Sequence, residues 1–238
     1  CVVQILDCAV LDRDNLRRQA DACSRRTGKA NAIRHFGPHV LVMERGERDL
    51  ADIIAHDFVA GVDKVKVAQI GRRMAECLLQ LERAKRIHGD VKPRNAMEFR
   101  ELLEALIRLI DLDASANHGE TAGLKWSSAF SPPELATLIC EYDELPAKER
   151  PAWEEYLRSL PEDKRVVAAT SFDVWSFGMV MYILSAPEGA SIFLTSTADN
   201  IVRPEDLRRL AYEWEEMKLA EVSKLVWAQA QDLVLWCL

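Results

Sequence analysis

The chain has 238 residues, 49% of them apolar and 29% charged, which is enough to bury a sizeable core in one domain or one large domain plus part of another. Ten Gly and nine Pro are too few for a long disordered chain, and a net charge of −7 argues against a nucleic-acid binder, which needs a basic face. No apolar run is long enough to span a bilayer.

The six cysteines, Cys1, Cys8, Cys23, Cys77, Cys140 and Cys237, make no C-x-x-C pair and no zinc-finger spacing. They read as scattered reduced thiols of an intracellular, cytoplasmic protein. The first residue is Cys1 rather than Met, so the expectation is that a natural start lies upstream.

In chain order, residues 2–6 are β-branched and apolar and read as a strand. Residues 12–23 carry Leu16 and Ala20 at helical spacing and read as a solvated helix, and 27–38 as a loop. The segment 39–43 (HVLVM) predicts a second strand, 44–48 a polar turn and 49–56 a short helix. The strongest helical pattern covers 63–87, with Val67, Ile70, Met74, Leu78 and Leu81 recurring at i, i+3, i+4. Gly89 and Pro93 break it, so 88–95 is a loop. Residues 106–112 read as a strand ending in Asp, 114–133 as a long loop, and 133–138 as a helix start. Residues 141–169 carry Pro146, Pro151 and Pro161 and read as an insertion with a short helix near 153–157. Residues 172–184 are apolar nearly all round, which predicts a helix buried at the centre of the domain. The tail, 204–238, reads as helical.

The segment that carries chemistry is His88-Gly89-Asp90-Val91-Lys92-Pro93-Arg94-Asn95. A carboxylate can orient an attacking hydroxyl and take its proton. An ammonium two residues on can offset charge on a moving phosphoryl group, and an amide oxygen five residues on can hold a metal ion. The segment resembles the catalytic loop of eukaryotic-type protein kinases, H-R-D-L-x-x-x-N. Three more segments match in the right order. Ile110-Asp111-Leu112-Asp113 stands where the family has D-F-G. Phe130-Ser131-Pro132-Pro133-Glu134 looks like its A-P-E segment. Asp173-Val174-Trp175-Ser176-Phe177-Gly178 is similar to its D-x-W-S-x-G helix start. Upstream, Leu41-Val42-Met43-Glu44-Arg45-Gly46 resembles the fifth strand and hinge, with Met43 at the gatekeeper position.

The resemblance implies an α+β, protein-kinase-like fold, mainly the helical C-lobe with remnant N-lobe strands. Residues 1–43 would be the N-lobe remnant (strands four and five with a helical insertion). Residues 44–238 would be a C-lobe incomplete at its C-terminus, with the insertion at about 141–169. It implies a protein serine/threonine kinase moving the γ-phosphoryl of ATP to a protein hydroxyl, the serine/threonine type being marked by Lys92. Asp90 would be the base or orienter and Lys92 would neutralise charge. Asn95 and Asp111 would bind Mg²⁺, and Glu44 and Gly46 would hold the adenine edge with Met97 beneath it. Asp173 would hydrogen-bond backbone amides of the catalytic loop, against the alternative of a solvent-exposed helix cap. The implied partners are ATP and a protein substrate, with no nucleic acid, no membrane span and the oligomeric state left open.

The chain departs from the family's pattern at several points. Gly89 replaces the usual Arg that pairs with a phosphorylated activation loop, so phosphorylation at Thr121, Ser127 or Ser128 is not expected to activate strongly. Leu112 and Asp113 replace the Phe and Gly of D-F-G, which favours a single loop conformation. No G-x-G-x-x-G or V-A-I-K precedes the hinge, and Lys29 is a poor substitute for the missing Lys, so the fragment is expected to be weakly active or inactive. Two rival readings follow: a pseudokinase acting as a binding scaffold, and a small-molecule kinase of the aminoglycoside or choline kinase type. The second rests on His88-Gly89-Asp90 and Asp111-Leu112-Asp113, and Lys92, Glu134 and Trp175 argue against it.

Overall fold

The computed structural model describes residues 5–10, 39–101 and 104–238. The helix and loop expected over 12–23 and 27–38, with Lys29 in that loop, lie outside the described residues. The chain divides into two compact units. One contains β1 (Ile5–Val10) and β2 (His39–Met43), which pair antiparallel with Val10 opposite His39 and an irregularity between Ile5 and Asp7. Of the strand expected over 2–6, residues 5 and 6 fall in β1 and residues 2–4 lie outside the described residues. Glu44 belongs to this unit, and the other runs from Gly46 to Leu238.

In the larger unit, β3 (Arg48–Asp49) leads into α1 (Leu50–His56). The Asp49 side chain caps α1 by accepting the Asp52 N–H at 2.8 Å. Asp63 caps α2 (Lys64–Arg83) in the same way, accepting the Lys66 N–H at 2.9 Å. The apolar stripe read from the sequence is the buried one: Val67, Ile70, Met74 and Leu81 are in the core, joined by Cys77. α2 stops short of the expected residue 87. Lys85 turns left-handed (φ 55°), and Arg86–Ile87 become β4, paired antiparallel with β7 (Ala116–Asn117).

Between those two strands lies a hairpin of β5 (Ala96–Glu101) and β6 (Glu104–Leu109), with Ala96 opposite Leu109. β3 joins the other edge of β5, with Asp49 opposite Met97. β6 ends at Leu109, three residues before the expected end, because Asp111 has a left-handed backbone (φ 64°) that a strand cannot continue through.

α3 (Pro133–Glu144) runs beyond the expected 133–138, so the segment read as an insertion begins inside a helix. That segment is bound into the domain. Trp153 on α4 (Trp153–Ser159) stacks edge-on against Trp126 and Tyr142 and donates its indole N–H to the Gly123 carbonyl at 2.7 Å. Residues 166 and 168 exchange backbone bonds with Ala122 and Glu120.

α5 (Thr170–Ser185) is the expected central helix and buries residues on every side. α6 (Pro204–Tyr212), α7 (Trp214–Val222) and α8 (Ala228–Cys237) complete the unit. α8 crosses α5 so closely that a Cβ on Gly178 would fall 2.6 Å from the Cβ of Cys237. Trp214 packs edge-on against Trp175 of α5, ring centres 5.2 Å apart. The architecture is α+β, with small antiparallel sheets beside a helical body. Among the described residues no helix is long and apolar enough to cross a membrane.

Candidate functional site

The loop from His88 to Asn95 leaves β4 and enters β5, and α5 anchors its start. Asp173 Oδ2 accepts the His88 N–H at 2.6 Å and Oδ1 accepts the Gly89 N–H at 3.0 Å. Asp173 is 4% exposed, which excludes the alternative of a solvent-exposed cap. Burial pushes its carboxyl above the ordinary carboxylate range, and the two N–H bonds oppose that shift.

The His88 ring is fully buried. Its Nε2 faces the Ile110 carbonyl at 3.0 Å and its Nδ1 faces the Asp90 N–H at 3.3 Å. A carbonyl only accepts and an N–H only donates, so the pair selects the tautomer with its proton on Nε2. The ring thereby ties the loop to the end of β6. Gly89 is required where it stands: its φ is +82°, and an added Cβ would lie 2.4 Å from the Ala114 carbonyl oxygen.

Asp90, Lys92 and Asn95 converge. Asn95 Nδ2 donates to the Asp90 backbone carbonyl at 2.9 Å and to Asp90 Oδ2 at 3.1 Å. Lys92 Nζ meets the same Oδ2 at 2.8 Å, and both side chains of that pair are largely shielded. Lys92 also donates to Ser127 Oγ at 2.9 Å. The backbone N–H of Ile110 donates to the Asn95 carbonyl at 2.9 Å, so Asp111 follows one residue beyond a backbone bonded to Asn95. Asp111 itself is exposed.

Asn95 commits its amide nitrogen to Asp90, which leaves its amide oxygen as an acceptor. That oxygen and the exposed Asp111 carboxylate are hard donors of the kind Mg²⁺ takes, one or two from protein and the rest from phosphate and water. Among the described residues no three His, Cys, Asp or Glu side chains are grouped to hold a metal by themselves.

Gly46 and Met97 are adjacent: a Cβ on Gly46 would fall 2.2 Å from Met97 Cγ, so the Gly46 backbone lies directly on the Met97 side chain. Glu44 belongs to the other unit.

Sequence reading missed Asp199, and it named Ser127 only as a phosphorylation position, not as a partner of Lys92. Ser127 is 4% exposed and receives the Lys92 bond. Asp199 lies 3.8 Å from Lys92 Nζ and 3.5 Å from Arg94 Nε. It sits in a left-handed turn (φ 61°) inside the Thr195–Ile201 bridge. Its neighbour Asn200 accepts the Ser128 N–H at 3.0 Å, which fastens that turn to the segment before α3. The only local signal was an Asp-Asn pair, which marks a turn without saying what the turn faces. Ser128 is 2% exposed, so neither Ser127 nor Ser128 is open to modification in this conformation.

No protein-family model matches the chain, and no curated protein matches it.

Proposed function

We propose that the chain is a serine/threonine-type protein kinase domain that moves the γ-phosphoryl group of ATP to a hydroxyl on a protein. The observation that carries this reading is the arrangement on one Asp90 oxygen, where Asn95 Nδ2 and Lys92 Nζ meet at 3.1 and 2.8 Å. Both contacts fall on Oδ2, so among the described residues Oδ1 is the oxygen left to orient an acceptor hydroxyl and take its proton. Lys92 supplies the positive charge beside it, where negative charge gathers on the moving phosphoryl group. Asn95 and Asp111 would hold Mg²⁺, which neutralises phosphate charge when bound. Gly46 and Met97, which lie against each other, would receive the adenine. The kinase-like fold is part of the same proposal, supported by Asp173 gripping the loop that carries Asp90.

The test is transfer of labelled phosphate from Mg-ATP to serine peptides and, separately, to amino-alcohols. The expected result is transfer to peptides that Asp90→Asn abolishes. Transfer to amino-alcohols alone would favour a small-molecule kinase. Mg-ATP at a hundred times its Kd adds about 2.7 kcal/mol of stability. That stabilisation without any transfer would mark a nucleotide-binding scaffold.

A further inference from the structure

Beside the Asp90 loop lies a cavity of about 200 Å³ that the proposed reaction leaves unused. One part of its wall is apolar, formed by Ile54 of α1, Phe130, Met179 and Ile183 of α5, and Phe193, and Ser191 and Thr195 line it too. Arg94 and Asp199 stand among its lining residues and pair with each other at 3.5 Å. An apolar cavity of about 150 Å³ is enough to admit benzene, so this one has room for a leucine, methionine or phenylalanine side chain.

We infer that this cavity is a subsite for one bulky apolar side chain of the acceptor segment, two or three residues from the hydroxyl that receives phosphate. The inference rests on the phosphotransfer reading above. Its reach follows from shared residues. Asp199 lines the cavity and lies 3.8 Å from Lys92 Nζ, which in turn lies 2.8 Å from the Asp90 carboxylate. An extended chain advances about 3.3–3.6 Å per residue, so two or three residues cover that interval.

Charge decides which side chain belongs there. Of the charged groups that line the cavity, Arg94 pairs with Asp199, and Asp199 in turn faces Lys92, which is also paired with Asp90. A charged side chain entering the cavity would lose water and find no uncommitted partner, whereas an aliphatic or aromatic one only loses unfavourable hydration.

Two readouts test this on the full chain. With methyl-labelled methionine, a serine peptide carrying Leu at the favoured position shifts the Met179 methyl resonance. The same peptide with Asp there leaves it in place. In transfer assays, one placement of Leu raises kcat/KM about tenfold over Gly, within the range a hydrophobic pocket gives. Ala51→Trp, from the partly exposed face of α1 that lines the cavity, brings the Leu-to-Gly ratio close to one. Thr195→Trp does the same from the opposite wall, should the first variant not fold. Transfer with no preference at any placement overturns the subsite and leaves the reaction standing. A Met179 shift specific to the Leu peptide without any transfer upholds the cavity as a side-chain site and overturns the reaction. An unmoved Met179 resonance overturns the subsite.

Discussion

Asp173 Oδ2 accepts the backbone N–H of His88 at 2.6 Å across 85 positions of sequence. That bond, with its companion from Gly89, fixes the start of the Asp90 loop to the most buried helix of the domain. Both N–H groups belong to buried residues, so losing the carboxylate strands two donors. Each stranded donor costs about 1–3 kcal/mol, so Asp173→Ala should lose roughly 2–6 kcal/mol. Asp173→Asn keeps one acceptor and should fall between it and the parent. Urea unfolding at neutral pH measures both, and a loss under about 1 kcal/mol for the alanine variant would contradict the bonding described.

Gly89 tests the loop from its other side. Its φ of +82° and the Ala114 oxygen 2.4 Å from a built Cβ leave no room for a side chain. Left-handed strain and overpacking together should make Gly89→Ala cost about 2–4 kcal/mol. Gly89→Arg, which introduces the residue usual in the catalytic loop this segment resembles, should lower stability at least as much and bring no gain in the proposed transfer. A thermal melt of each variant decides it. An unchanged Tm would mean that the loop can move away from Ala114.

How much of this was legible in the sequence depends on whether a signal was local. The α2 stripe and the uniformly apolar α5 were, because burial on one face or on all faces writes itself into spacing. Of the β5–β6 hairpin only part of β6 was, within the strand expected over 106–112, and β5 was not. β5 carries Glu98 and Arg100, and such charges give no apolar alternation to read. Glu98 is in fact 7% exposed, and Arg48 and Lys66, distant in sequence, neutralise it. The Asp90, Lys92 and Asn95 cluster could be named because all three lie within one octapeptide. Asp199 could not, because only the fold carries its turn to Lys92.

Cys77, Cys140 and Cys237 are free and buried, and this predicts their reactivity. Burial pushes the Cys237 thiol up to about 11 and raises those of Cys77 and Cys140. At pH 8 a thiol of pKa about 11 is roughly one part in a thousand thiolate, the reactive form. Iodoacetamide at pH 8 should therefore leave Cys77, Cys140 and Cys237 unmodified in the native protein and alkylate all three in urea. Peptide mapping by mass spectrometry reads each site. Fast native labelling of Cys237 would show that the end of α8 opens away from α5.

Thr170 begins α5, and its hydroxyl donates to Glu82 near the end of α2, beside the Lys85 ammonium at 2.9 Å. The Thr170 bond first, and then the Lys85 bond, hold the Glu82 carboxyl below its ordinary value. A carboxylate whose folded pKa is depressed adds stability above its unfolded pKa and loses it as the pH falls through the folded value. Thr170→Ala removes the larger cause and should flatten the dependence of stability on pH below about pH 5. Parent and variant should then differ most above about pH 5 and converge as the pH falls through the folded value. Lys85→Ala should have the smaller effect of the two. Urea midpoints measured across that range supply the curves, and parallel curves would rule out this linkage. The tether joins the two helices that bracket the Asp90 loop.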